Sequence, residues 1–142
     1  MTRTSRVDVN RAVLTRFGGT TFTRSITPSP VQAAQVRHEF DAWLRRLDVE
    51  VTARSEVLLA LSEAVSNAVE HGSNGRFDRP VVVTGTLRDD VVAVVVRDHG
   101  HWREPMPHNG RGRGMGIMRT VMHEVTTECT DHGTVVRMQH RL

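Results

Sequence analysis

The chain has 142 residues, 19 basic against 16 acidic side chains, a formal charge of +3 and one cysteine. That length supports one domain with its own core, without disulfides or a structural metal, and a lone cysteine fits a reducing, cytoplasmic setting. No apolar run approaches the roughly 18–20 residues that span a membrane, and four phenylalanines, two tryptophans and a small arginine excess are poor material for direct nucleic-acid binding.

Residues 1–20 read as a flexible basic tail or a linker remnant, and residues 21–142 as the folded domain. Arg3, Arg6, Arg11 and Arg16 superficially mimic an organelle presequence, but Ala12-Val13-Leu14 is far too short for a secretory core. Weak alternation over Thr21–Thr27 marks an edge strand. Ser29-Pro30-Val31-Gln32 is a helix start, with Ser as N-cap, Pro in the first turn and Gln closing a capping box. Ala33, Val36, Phe40, Trp43, Leu44 and Leu47 follow at helical spacing and read as core.

A second helix, approximately Thr52 to His71, carries Ser62-Glu63-Ala64-Val65-Ser66-Asn67-Ala68-Val69-Glu70-His71-Gly72. Glu63, Asn67 and His71 recur every four residues and share one stripe. Val57, Leu61, Ala64, Val65 and Ala68 fall on the opposite, core side. A carboxylate can accept a proton and an amide oxygen can ligate a hard cation such as Mg²⁺; on the helix alone, a solvated polar face explains the same residues.

After a loop over residues 72–80, Val81–Leu87 and Val91–Arg97 read as strands joined tightly through Arg88-Asp89-Asp90. The second strand ends in Asp98-His99-Gly100. A carboxylate there can accept from an exocyclic amine such as that of adenine, or simply serve the turn. Residues 100–112, rich in Pro, Gly, His and Arg, read as a lid. Gly110-Arg111-Gly112-Arg113-Gly114-Met115-Gly116 then runs into a helix from Gly114 to about His123. Converging backbone N–H groups, the helix dipole and Arg111 and Arg113 suit phosphate. The Gly-Lys-Ser/Thr phosphate loop is absent, and the chain has no lysine. Val125–Thr130, read with Cys129 as a small buried hydrophobe, and Thr134–His140 close the sheet as a hairpin turning at Asp131-His132-Gly133. The element order gives an α/β (α+β) two-layer sandwich, with helices on one face of a mixed, mainly antiparallel sheet.

Taken in order, these blocks resemble the N, G1 and G2 boxes of the GHKL ATPases, which have the Bergerat fold. Glu63 to Gly72, Val96-Arg97-Asp98-His99-Gly100, Gly114-Met115-Gly116-Ile117-Met118 and Gly133-Thr134-Val135-Val136-Arg137 are together similar to the anti-sigma-factor serine kinases. The resemblance spans approximately Phe22 to Leu142. Its wording around Asp98–Arg103 and Gly110–Gly114 is also similar to actinobacterial kinase modules fused to phosphatase domains.

The resemblance implies ATP and Mg²⁺ as cofactors, Glu63 as general base and Asn67 as the metal ligand. It places Asp98 on the adenine amine, with Thr134 in support through water, and Gly100 beside them. Gly112, Gly114 and Gly116 shape the phosphate lid, and His71 lies where the family often has histidine. Two positions depart from the pattern. Trp102 stands where many relatives have a second glycine, and Gly112 where some carry an arginine, a role open to Arg111 or Arg113. The implied partners are a STAS-domain anti-sigma antagonist, phosphorylated on serine, and a sigma factor, with a homodimer as the working form. The alternative is a nucleotide-dependent binding module without useful kinase activity. A histidine-kinase output domain fits less well, because the upstream residues are too few for paired phosphoacceptor helices. His99, His101 and His108 match no usual zinc spacing, and Ser62 and Ser66 lack a nucleophile elbow.

Overall fold

A computed structural model describes residues 20–72, 79–100 and 112–142, with only the backbone described for 71–72 and 112–114. The expected tail and most of the expected lid lie outside the described residues. The elements are β1 (Thr20–Ile26), α1 (Pro30–Arg46), α2 (Val51–Asn67), β2 (Val81–Arg88), β3 (Val91–Asp98), α3 (Gly112–Val121), β4 (Glu124–Thr130) and β5 (Gly133–Arg141). A π-helical turn, Ala68–Gly72, continues α2. No helix among the described residues is long and apolar enough to cross a membrane.

The strands form one sheet in the order β1-β2-β3-β5-β4. The expected mixed sheet is antiparallel at every described pairing. The chain passes from β3 through α3 to β4, which runs in the same direction as β3, and such a crossover could have left two parallel neighbours. Instead β5 folds back from β4 into the slot between them, so each strand meets only antiparallel partners. The β2–β3 hairpin pairs Arg88 with Val91, leaving Asp89 and Asp90 as a two-residue turn, both at positive φ (50° and 61°). Those are the dihedrals of a type I′ turn, whose twist matches the strands it joins.

Helix boundaries follow from local chemistry. The Ser29 hydroxyl accepts from the Gln32 backbone N–H (3.2 Å), whereas the Gln32 carboxamide oxygen accepts from Thr27 N–H (2.6 Å). The expected capping box therefore closes two residues further back and pins the end of β1 to α1. Helix α1 stops because Asp48 turns left-handed (φ 57°). Asp48 N–H then donates to Arg45 O and Val49 N–H to Leu44 O, the reciprocal pair of a Schellman termination. Two residues later the Glu50 carboxylate accepts from the Thr52 and Ala53 N–H groups (3.0 and 3.2 Å) and starts α2. Helices α1 and α2 are thereby an antiparallel pair with a very short link.

The core lies between the helices and one face of the sheet. Val83, Val92, Val94, Val96, Val136 and Met138 present alternate side chains to Phe40, Trp43, Leu44, Val57, Leu61, Ala64 and Met118, all buried. Each large side chain buried there contributes about 1.5–3 kcal/mol. Phe22, Phe40 and Trp43 pack as an aromatic trio, with centroids 4.9–5.8 Å apart. Gly85 on β2 makes room for it: a Cβ there would lie 2.7 Å from the Phe40 ring. Cys129, expected to be buried, is exposed. It sits near the end of β4, the sheet's outer edge strand, most of whose residues are exposed.

Candidate functional site

The stripe on α2 forms as its spacing dictates. Val57, Leu61, Ala64 and Val65 are buried in the core, and Glu63 and Asn67 stand half-buried on the other side. Asn67 is the last α-helical residue. The Ala68 N–H donates to both Ala64 O and Val65 O, and the helix then widens into the π turn instead of ending. That turn packs against β3, so the chain after Asn67 reaches the sheet without a break. Single π turns inside helices are frequent at functional sites, because the extra residue re-aims what precedes and follows it. His71 contributes its backbone to this turn, and its side chain lies outside the described residues.

On the sheet, two apolar columns end in polar groups at the same edge of the core. Along β3, Val92, Val94 and Val96 are followed by Asp98; along β5, Thr134 comes before Val136 and Met138. Asp98 pairs with Thr134 in register, and they are only 3% and 1% exposed. A carboxylate and a hydroxyl buried side by side against valines are costly unless hydrogen-bonded. Asp98 Oδ1 accepts from Gly100 N–H (2.9 Å), which folds the chain back over the carboxylate and holds it in one orientation. Thr134 Oγ1 is 4.0 Å from Cys129 Sγ, on the next strand out.

Gly133 fixes the spacing of this pair. It has φ of 140°, and a Cβ there would lie 2.0 Å from the Asp98 carbonyl oxygen and 2.9 Å from His99 Cα. The end of β3 therefore rests directly on the start of β5. From the sequence Gly133 reads as part of a turn and as the first residue of the Gly133–Arg137 block; its close approach to the Asp98 backbone is seen only in the fold.

The glycine-rich segment starts its helix two residues earlier than expected, at Gly112, so Gly112, Gly114 and Gly116 all lie in the first half of α3. Met118 and Met122 bury this helix, which packs beside α2. The next residue, His123, donates its N–H to Gln139 O near the end of β5 remote from Thr134. Ten helical residues span about 15 Å, so the start of α3 lies about that far from this anchor on β5. The unpaired N–H groups and positive dipole end at a helix start suit an anion. Arg111 lies outside the described residues, as does the Arg113 side chain.

The structure thus brings Asp98, Gly100 and Thr134 together at one end of the sheet, and packs the π turn after Asn67 against β3. Glu63 stands one helical turn before Asn67. A buried carboxylate in an apolar wall can select an amine-bearing ring, and a half-buried carboxylate–carboxamide stripe can take a proton and a hard cation. These donors fit a purine nucleotide with Mg²⁺.

Among known proteins, residues 26–140 match the family described as the histidine kinase-like ATPase domain. The anti-sigma F factor of Bacillus velezensis is 32% identical over 114 residues, 71% of this chain and 78% of that protein. The anti-sigma F factor of Bacillus subtilis is 30% identical over the same shares. A crystal structure of the RsbU and RsbW domains of Rv1364c from Mycobacterium tuberculosis superimposes with a TM-score of 0.74 at 25% identity. It covers 87% of this chain, which corresponds to 32% of that longer one. The histidine kinase domain of a blue-light activated kinase from Erythrobacter litoralis, 18% identical, shares the fold with a TM-score of 0.59.

Proposed function

The chain belongs to the histidine kinase-like ATPase domain family, and from that premise we propose that it is an ATP-dependent serine protein kinase and anti-sigma factor working in the cytoplasm. The observation that carries the reading is the buried Asp98–Thr134 pair on β3 and β5, with the π turn that follows the Glu63–Asn67 stripe packed against β3. Asp98 holds the adenine amine, with Thr134 and Gly100 beside it. Asn67 ligates Mg²⁺, which supplies neutralising charge to the phosphates when bound. The first turns of α3, with Gly112, Gly114 and Gly116, receive the phosphates, and Arg111 or Arg113 adds charge. This reading assigns His71 to the ATP site as well.

Glu63 accepts the proton of the incoming serine hydroxyl as its oxygen bonds to the γ-phosphorus. The bond from that phosphorus to the bridging oxygen breaks, and ADP leaves with the electron pair. The acceptor is a STAS-domain anti-sigma antagonist. Phosphorylation adds negative charge that breaks its complex with the kinase, leaving the kinase, as a homodimer, free to hold a sigma factor. The curated relatives' name, anti-sigma F factor, supports the sigma-factor half of this proposal.

Transfer of labelled γ-phosphate to STAS-domain proteins from the same organism tests it, with Glu63→Gln as the control. Serine labelling by the wild type, lost by at least 100-fold in Glu63→Gln without loss of ATP binding, is the expected result. Equal transfer by both would remove Glu63 as the base. ATP binding without transfer would leave a nucleotide-dependent binding module.

A further inference from the structure

Two turns before Glu63, α2 is tied to the sheet by a hydrogen bond that the nucleotide site does not use. On β5, Thr134, Val136, Met138 and His140 alternate toward the core, and His140 is 5% exposed. Its Nε2 lies 2.8 Å from Glu56 Oε2 on α2. A carboxylate only accepts, so Nε2 carries the hydrogen and donates it, while Nδ1 is buried without a partner. The His123 ring packs edge-to-face on His140, with centroids 4.9 Å apart, and is held in turn by the Arg141 N–H, which donates to His123 Nδ1 (3.0 Å). An imidazole buried with one polar partner adds little stability that an aliphatic side chain in the same column would not. What it adds is direction, which the burial of apolar surface lacks.

We infer that Glu56 and His140 are positioning residues, and that their hydrogen bond sets where Glu63 stands relative to the strands that hold the nucleotide. The inference rests on the kinase reading above. Glu56 precedes Glu63 by seven residues, so at about 100° per residue the two lie within about 20° of one line, about 10 Å apart along it. Thr134 and His140 share the core face of β5. The bond therefore joins the helix line that carries the base to the strand that carries Thr134. Beyond Asn67, α2 is held at its other end by the π turn packed against β3. Between these anchors the core side of the helix is partly smooth, because buried Ala60 and Ala64 present only methyl groups. Arg54 ties the start of α2 to Asp41 on α1 (3.1 Å), not to the sheet. Once the Glu56 anchor is lost, a roll of about 20° moves a carboxylate about 6 Å from the helix axis by about 2 Å. A misplacement of about 1 Å at a reacting group costs about 100-fold in rate.

Steady-state phosphotransfer to a STAS-domain protein that the wild type phosphorylates provides the test, at a temperature where every variant is folded. In Glu56→Ala kcat falls about tenfold or more, while the KM for that protein stays within about twofold of wild type. Asn67 rides on the same helix as Glu63, so nucleotide affinity is read with ADP in the absence of Mg²⁺, and it too stays unchanged. Glu56→Gln keeps an oxygen that accepts from His140 Nε2–H and restores kcat to near the wild-type value. His140→Phe keeps a buried ring without the donor and loses kcat as Glu56→Ala does. An unchanged kcat in Glu56→Ala, even with a lower melting temperature, or a Glu56→Gln protein as slow as Glu56→Ala, overturns the positioning role and leaves the kinase reading standing. A wild type that binds ATP but phosphorylates no STAS-domain protein overturns the kinase reading, and the positioning role with it.

Discussion

Replacing Gly133 by alanine adds one methyl group and exposes how the Asp98–Thr134 end of the sheet is held. The new Cβ would lie 2.0 Å from the Asp98 carbonyl oxygen, against an ordinary contact of more than 3 Å, so β3 and β5 must separate by about 1 Å. The backbone φ of 140° belongs to a region that L-residues avoid, at a cost of about 1–3 kcal/mol. Relieving the overlap in a packed interior costs a similar amount. The two together amount to about 3 kcal/mol, equivalent to a fall in melting temperature on the order of 10 °C for a domain of this size. Because the displaced atoms include the Asp98 backbone, ATP affinity should fall about 100-fold even below the variant's melting temperature. Thermal unfolding followed by circular dichroism, with calorimetric ATP titration of the folded variant, reads both quantities. Gly116→Ala is the matched control for the melting measurement alone, since a Cβ there meets nothing within 4 Å. In a helix that exchange stabilises by about 0.5–1 kcal/mol. A Gly133→Ala protein that melts within a degree of wild type and binds ATP equally well would refute the close approach as the device that sets Asp98.

Gly85→Ala pushes a methyl group to 2.7 Å from Phe40 and 2.9 Å from Trp43, and should destabilise by about 1–3 kcal/mol in urea titration without affecting ATP affinity at temperatures where the variant is folded. Phe40→Ala, at the fully buried centre of the aromatic trio, should lose about 3–5 kcal/mol in the same assay. The backbone N–H groups of Thr52 and Ala53 hold the Glu50 carboxyl below its ordinary range, and the Arg24 hydrogen bond does the same for Glu39. Both groups are ionised in the folded protein to a lower pH than in the unfolded chain. Their stabilisation is therefore fully present above an unfolded pKa of roughly 4.3 and is lost as pH falls through the lower folded values. Acid titration of the melting temperature checks this: Glu50→Gln should flatten the decline below that pH. An unchanged acid limb would remove Glu50 as a contributor.

How far the sequence disclosed this arrangement depended on whether the cause was local. The Glu63–Asn67 stripe, the Ser29 cap and the Asp89–Asp90 turn are set by residues within a few positions, and their spacing was readable. The Gln32 contact was legible in kind but not in partner, because its carboxamide reaches Thr27 at the end of β1 and thus depends on how α1 leaves the sheet. The mainly antiparallel sheet was legible, but that no parallel pair remains was not, for a non-local reason: whether β5 lies inside or outside β4 cannot be read from either strand. The same ordering exposes Cys129, since an apolar-looking position is covered only if another layer reaches it. Asp98 and Thr134 were assigned through family resemblance, and what the fold adds is their burial and their shared register. The role of Gly133 was invisible because its partner, the Asp98 carbonyl, is distant in the chain. The π turn after Asn67 has no signal in the alternation of Ala68, Val69 and Glu70; it arises where α2 meets β3.

The account stands most directly on Asp98 as the group that reads the purine ring. Calorimetric titration of the wild type and Asp98→Asn with ATP and with GTP, both in Mg²⁺, measures that claim. The account predicts saturable ATP binding by the wild type, no measurable GTP binding, and a loss of about 10- to 100-fold in ATP affinity in Asp98→Asn, the worth of a hydrogen bond to a buried charged acceptor. Equal affinity for the two nucleotides, or an Asp98→Asn protein that binds ATP as wild type does, would contradict it.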